Sequence, residues 1–446
     1  MSPFDKRFPS FLNHCIVMIL IGENLVKSIS PNDYEYARYT TFMESVDVRK
    51  MTFETLRETG GYYVDKTDLI VDILDSNPFG IYLITRPHGF GKTVNISMLD
   101  SFFNNAHEDN TWFNGLDISR IKGHEVYKNA FPTIWLDLEI KNVKDFEDYL
   151  RKMREALKDA FEPHRYLLEW QELSGTMKSL FEIFESKTTP LNTDMLKFSI
   201  NNLSEALTGY HGKAPVILID EYDCAVSTTI EAGLRKKIVA FLTRFLYACI
   251  KGNRNKQMAF ITGTIHFAHE SIPSVENDIF SEKYTDRFGF TEEEVRAALE
   301  AFESSDKLDI VKEWCGGYRF GNTEIYNPRN MMRFISRNRT EIPDLIDRDA
   351  LVEDLLEGNT AEKCADLTRL IQGDSIESDL VDSFPYDVAR RSNEPPYRRM
   401  AMSGYLDAMP SKKDDIYGEE LFELSIPNEW MKMLVGRLVE SCIRRT

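Results

Sequence analysis

The chain has 446 residues, 42% of them hydrophobic, with 72 acidic against 54 basic side chains and a formal net charge of −18. That length allows two or three domains with cores of their own, and the acidic balance excludes a broad nucleic-acid surface, which needs a basic face. Its six cysteines show no C-x-x-C pair or regular spacing, so a disulfide framework and a cysteine zinc site are excluded and reduced thiols in a cytoplasmic protein are expected.

Residues 1–44 read as an N-terminal extension. The apolar run over 15 to 22 is too short to span a membrane. Lys6 and Arg7 precede it, but no small-residue cleavage site follows, so neither an anchor nor a signal peptide is expected. A helix should open after Asp65-Lys66-Thr67. Tyr63, Asp65 and Lys66 have two readings there: they line a ligand pocket, or Asp65 or Thr67 caps the helix.

Tyr82-Leu83-Ile84-Thr85 then reads as a strand that runs into Arg86-Pro87-His88-Gly89-Phe90-Gly91-Lys92-Thr93. Ile96, Leu99 and Phe103 follow at helical spacing. A strand, a Gly-containing turn and a helix opening on Gly-Lys-Thr form the geometry of a phosphate-binding loop, in which backbone N–H groups converge on an anion. Lys92 would reach the β- and γ-phosphates and Thr93 would hold Mg²⁺. Arg86 stands where the full pattern has Gly, the residue that eases the turn.

A further strand is expected at Thr133-Ile134-Trp135-Leu136-Asp137, followed by inserted helices over 146 to 161 and 177 to 184. Val216-Ile217-Leu218-Ile219 suits a strand buried on both faces, which delivers Asp220 and Glu221 to its C-terminal end. Asp220 would bind Mg²⁺ and Glu221 would polarise the attacking water. Residues 232 to 250 read as a long helix with Ile238, Phe241, Leu242, Phe245 and Leu246 on its apolar face. Met258-Ala259-Phe260-Ile261 ends in Thr262, a polar sensor for the γ-phosphate.

Thr291 and Glu294 form a capping box. Beyond it small helices are expected, with Trp314 and Tyr318 in their core and Arg319 either facing the phosphates or closing a Gly-rich helix end. From residue 344 the chain is acidic and mixed helical, with a turn at Pro395-Pro396. The basic stretches Arg235-Lys236-Lys237, 251 to 256, Arg390-Arg391 and Arg398-Arg399 read as solvated helix ends or linkers. His266 and His269 with Glu270 read as a polar turn, since a metal site needs further ligands.

Together these pieces resemble the AAA-ATPase-like family of prokaryotic P-loop proteins. The resemblance is carried by Tyr63-Val64-Asp65-Lys66-Thr67, the loop from Thr85 to Thr93, and Ile219-Asp220-Glu221-Tyr222-Asp223. It continues through Thr262-Gly263, Phe288-Gly289-Phe290-Thr291, Gly317-Tyr318-Arg319-Phe320, Ile325-Tyr326-Asn327-Pro328, Gly404-Tyr405-Leu406 and Ile426-Pro427-Asn428. The resemblance implies ATP as ligand and makes Arg86 a family variant of the loop. It also implies two Arg where this chain has His88 and Gly89, and basic residues where it has His266 and His269, so catalysis is less secure than binding. Members often carry a PD-(D/E)xK nuclease after the Ile-Pro-Asn segment, and that domain is not expected within these residues.

The expected architecture is an α/β fold, a P-loop NTPase parallel sheet sandwiched by helices and followed by mostly helical C-terminal domains. Residues 45–290 would form the core, 291–342 a small helical domain and 343–446 a mixed helical region. The expected function is Mg²⁺-dependent ATP hydrolysis coupled to conformational change, with a protein partner or a second copy of the chain, no membrane and no direct nucleic-acid contact. The alternatives are a nucleotide-responsive scaffold that does not hydrolyse ATP, and an ATPase partner of a nucleic-acid-processing nuclease.

Overall fold

The computed structural model describes residues 51–108, 110–186, 192–267, 275–337, 360–380, 397–413 and 420–445. The expectations for the N-terminal extension, His269, Glu270, Arg390-Arg391 and Pro395-Pro396 lie outside the described residues.

Helix α1 (Phe53–Thr59) opens on Thr52, whose hydroxyl accepts from Thr55 N–H, and stops at Gly60 in the left-handed conformation. Helix α2 (Asp68–Ser76) leads to strand β1 (Ile81–Thr85), and α3 (Lys92–Phe103) follows the loop. Strand β2 (Thr133–Asp137) precedes α4 (Phe146–Phe161), α5 (Gly175–Glu185) and α6 (Thr193–His211). Next come β3 (Val216–Asp220), α7 (Cys224–Thr228), α8 (Ala232–Cys249), β4 (Met258–Gly263) and β5 (Val275–Asn277).

The five strands form one sheet in the order β2-β3-β4-β1-β5, parallel throughout. Four were expected. The fifth has three residues, too short to announce itself as an apolar run. Side chains alternate between two cores, as the period of a strand demands. Tyr82, Ile84, Val216, Leu218 and Phe260 pack into one, against α2 and α3. Leu83, Ile134, Leu136, Ile217, Ile219 and Ile261 pack into the other, against α4, α6 and α8. Burial on both faces explains why the middles of β1 to β4 are continuously apolar. Register places Asp137 beside Asp220, Ile84 beside Thr262 and Thr85 beside Gly263. The chemistry-bearing residues therefore share one edge of the sheet.

Helix α9 (Glu292–Ala301) opens with the expected capping box, in which Thr291 and Glu294 satisfy each other's backbone N–H groups. Helix α10 (Leu308–Cys315), the hairpin of β6 (Tyr318–Phe320) and β7 (Thr323–Ile325), and α11 (Pro328–Arg337) follow. The last described stretches are α12 (Thr360–Gln372), β8 (Ile376–Asp379), α13 (Tyr397–Met402), β9 (Asp407–Lys413), β10 (Glu420–Ser425) and α14 (Glu429–Arg445). An antiparallel sheet of order β8-β10-β9 adds strand structure to a region expected to be mixed helical. Tyr405, Leu424 and Trp430 join the same core as Ile84 and Phe90, so this region is fused to one face of the central sheet. Gly317, at φ +78, is needed where two segments meet, because a Cβ there would lie 1.9 Å from Pro427 O. No helix among the described residues is long and apolar enough to cross a membrane.

Candidate functional site

The loop between β1 and α3 turns through Gly89 and Gly91, both left-handed with φ of +87 and +84. Gly91 caps α3, and Lys92 is the first residue of that helix. Lys92 Nζ donates to Arg86 O at 3.0 Å and to Pro87 O at 3.3 Å, and lies 3.3 Å from Glu221 Oε1. The ammonium is thus buried at the mouth of the loop among oxygen atoms that a phosphate oxygen could join or replace.

Strand β3 ends in Asp220, and Glu221 makes the turn after it in the left-handed region, φ +50, a conformation that a non-glycine residue holds only under constraint. The constraint is visible. Tyr222 N–H donates to Thr262 O, and the Asp223 carboxylate accepts from Thr264 N–H and Ile265 N–H, each at 2.9 Å. Asp223 thereby ties the ends of β3 and β4 together. Asp220 accepts a hydrogen bond from the Thr262 hydroxyl and lies in hydrogen-bonding range of Thr93.

Burial, reinforced by the Glu221 charge, pushes the Asp220 carboxyl up to about 7, and the same two causes push Asp223 up to about 7. Burial would also raise Glu221, but Lys92 and then His88 outweigh it and hold this carboxyl below its ordinary range. Glu221 is therefore ionised at neutral pH, and its Oε2 is buried without a hydrogen-bond partner. His88 stands 3.9 Å from Glu221 Oε1 through Nδ1 and 3.3 Å from the Thr264 hydroxyl through Nε2.

These groups open into a cleft of about 370 Å³, within the size range of small-molecule sites. His88, Gly89, Phe90, Gly91, Lys92 and Thr93 line it, as do Asp220 and Glu221. Thr262 stands behind the wall as the partner of Asp220. Two loop residues face away from the cleft. The Arg86 guanidinium is fully buried and donates to Thr85 O, Asn277 O and Tyr284 O, with its Cζ 4.8 Å from the centre of the Phe320 ring. Pro87 abuts Gly404.

Asp65 does not reach the cleft either. Its carboxylate accepts from Thr67 N–H and the Thr67 hydroxyl and from Asp117 N–H, and the Thr67 hydroxyl accepts from Ile118 N–H, so both tie the start of α2 to the 117–118 turn and neither side chain caps the helix. Tyr63 and Lys66 do line the cleft. Arg319 lies on β6 with Nε 3.6 Å from Asp407 Oδ2 and is not a lining residue.

Arg329 lines the cleft instead, and sequence reasoning missed it. Asn327 caps α11, accepting from Asn330 N–H, while its amide donates to His88 O at 3.0 Å and Arg329 N–H donates to Gly89 O at 3.3 Å. The signal was present as Asn327-Pro328-Arg329. A cap and a first-turn proline mark a helix start, and a cation in that first turn is disfavoured by the helix dipole unless an anion compensates it. Arg329 thus brings a cation to the cleft from another part of the chain.

A family model described as a predicted AAA-ATPase matches residues 48–273, half of the chain. The chain belongs to this AAA-ATPase-like family. No curated protein matches it. The matched stretch of the AAA-ATPase-like chain holds the loop, Asp220, Glu221 and Thr262. Phe290, Arg329 and Met332, which complete the cleft, come from beyond it.

Among the described residues no group of three His, Cys, Asp or Glu side chains could hold a metal unaided. A Mg²⁺ site of nucleotide type needs less, one or two protein oxygens beside phosphates and water. The Thr93 hydroxyl and the Asp220 carboxyl, adjacent hard oxygen donors at the mouth of the loop, fit that requirement.

Proposed function

We propose that this cleft binds Mg²⁺-ATP and hydrolyses it in a cytoplasmic protein. The observation that carries the reading is the meeting of Lys92, Glu221 and the Thr93–Asp220 pair at one point of the cleft. Lys92 and the N-terminal amides of α3 would hold the β- and γ-phosphates. Thr93 and Asp220 would hold Mg²⁺, which when bound neutralises phosphate charge and polarises the γ-phosphoryl group. Glu221 would orient the attacking water and take its proton on Oε2, the oxygen without a partner. Water oxygen bonds to the γ-phosphorus as the bond to ADP breaks. Thr262 keeps Asp220 aimed, and Arg329 adds a cation from the C-terminal side.

Hydrolysis would act on the rest of the molecule through the loop itself. His88 O, Gly89 O and Phe90 O all accept from backbone or side-chain donors beyond residue 288, so a shift in the loop is felt there first. Partner proteins or further copies of the chain would respond to that shift. Equilibrium binding of ATP with and without Mg²⁺, beside Lys92→Ala, tests the reading. Binding that needs Lys92 and tightens with Mg²⁺ is expected, and equal binding by parent and variant would sink it. The Lys92–Glu221 pair favours a second reading, in which Glu221 stays bound to Lys92 and the protein holds ATP as a scaffold without turnover.

A further inference from the structure

The end of the cleft away from the strand ends is apolar. Met51, Leu56 and Tyr62 line it from the N-terminal side, and Phe290 and Met332 from the C-terminal region. We infer that this end grips the nucleobase by stacking and apolar contact, with Phe290 and Met332 as the specificity-determining residues. The inference rests on the nucleotide reading above and deepens it.

Three features support it. First, the walls are fixed. The Tyr62 ring is set edge-on against Phe302 at 5.3 Å, and Phe290 is pinned by reciprocal backbone hydrogen bonds with Tyr326 at 3.0 and 2.8 Å. Second, Arg329 and Met332 are three residues apart on α11, hence on one face, and both line the cleft. A single helix thus offers a cation beside the phosphate loop and a thioether toward the apolar end. Third, several polar side chains nearby are already engaged. The Tyr63 hydroxyl donates to Met98 Sδ and accepts from Lys66 N–H, Lys66 Nζ binds Glu294 and Asp286 O, and Arg287 binds Asp72 and Asp286. Beside these engaged groups the cleft offers ring face and thioether, which take any base with a π-face and favour the larger purines.

The test is calorimetric titration of the full chain with Mg²⁺ salts of ATP, GTP, CTP and inorganic tripolyphosphate, for the parent, Phe290→Ala and Met332→Ala. In the parent, tripolyphosphate should bind at least about tenfold more weakly than ATP, GTP within about threefold of ATP, and CTP more weakly than both purines. Each variant should bring ATP toward the tripolyphosphate affinity while leaving tripolyphosphate unchanged. Should Phe290→Ala fail to fold, Met332→Ala decides the matter. Equal parental affinity for ATP and tripolyphosphate, parallel weakening of both ligands in the variants, or a hundredfold loss with GTP, which marks hydrogen-bond reading of the base edge, would overturn the inference. If neither ATP nor tripolyphosphate binds the parent, the phosphate-loop reading itself fails and this one falls with it.

Discussion

Lys92 Nζ and Glu221 Oε1 lie 3.3 Å apart, joining the first turn of α3 to the turn after β3 across the mouth of the cleft. Lys92 is also the strongest favourable influence that keeps the buried Glu221 ionised. A triphosphate must therefore share Lys92 with a carboxylate that repels it. Glu221→Gln should tighten ATP binding several-fold by removing that repulsion, and titration of the variant against the parent checks this.

Arg86 is a structural clamp beneath the loop. Its guanidinium is enclosed by backbone carbonyl groups and lies over the rings of Phe320 and Phe288. Burial pulls its pKa down to about 10, still well above neutral, so the side chain stays charged. Arg86→Ala would strand those buried acceptors and should cost about 3 kcal/mol or more of stability, read from urea midpoints. Arg86→Lys should not restore it, because an ammonium cannot serve the same spread of acceptors or stack on the rings.

Gly89 and Gly91 separate strain from contact. Alanine at Gly91 meets nothing within 4 Å and carries only the penalty of positive φ, about 1 kcal/mol. Alanine at Gly89 carries the same penalty and also drives its Cβ to 2.7 Å from Asn327 Oδ1. Gly89→Ala should therefore lose ATP affinity by about tenfold more than Gly91→Ala, if the Asn327–His88 hydrogen bond seats the loop.

His164 supplies a pH test away from the site. Burial depresses its pKa to about 4, below the ordinary histidine value of 6.5. The unfolded chain therefore binds a proton that the folded chain refuses, and stability is lost as pH falls from 6.5 toward 4. Its share of the loss at pH 5 is about 2 kcal/mol. His164→Gln should shrink the gap between the unfolding free energies from urea titrations at pH 7 and pH 5 by that amount, and an unchanged gap would show that His164 is not the group responsible.

Much of this site was legible because its signals are local. The strands β1 to β4 are apolar runs, buried on both faces, and the loop, Asp220 and Glu221 stand at their ends. The Thr291–Glu294 box and the apolar face of α8 are likewise short-range patterns that the fold reproduces. What stayed hidden depends on contacts far apart in the chain. The role of Arg86 needs Asn277, Tyr284 and Phe320, and the place of Arg329 needs a hydrogen bond to Gly89. Arg319 had two readings, facing the phosphates or closing a Gly-rich helix end; α10 does end at Gly316, Gly317 serves a close backbone crossing with Pro427, and Arg319 pairs with Asp407. Asp65 could not be assigned because capping and ligand binding place the same residue type at the same spot.

The most direct test of ATP hydrolysis in this cleft is Mg²⁺-dependent phosphate release from ATP by the full chain, beside Glu221→Gln. The parent should turn ATP over, and the variant should lose about a hundredfold or more of that rate with ATP still bound. Equal turnover by parent and variant would contradict the role of Glu221, and a parent that binds ATP without turning it over would establish the scaffold instead.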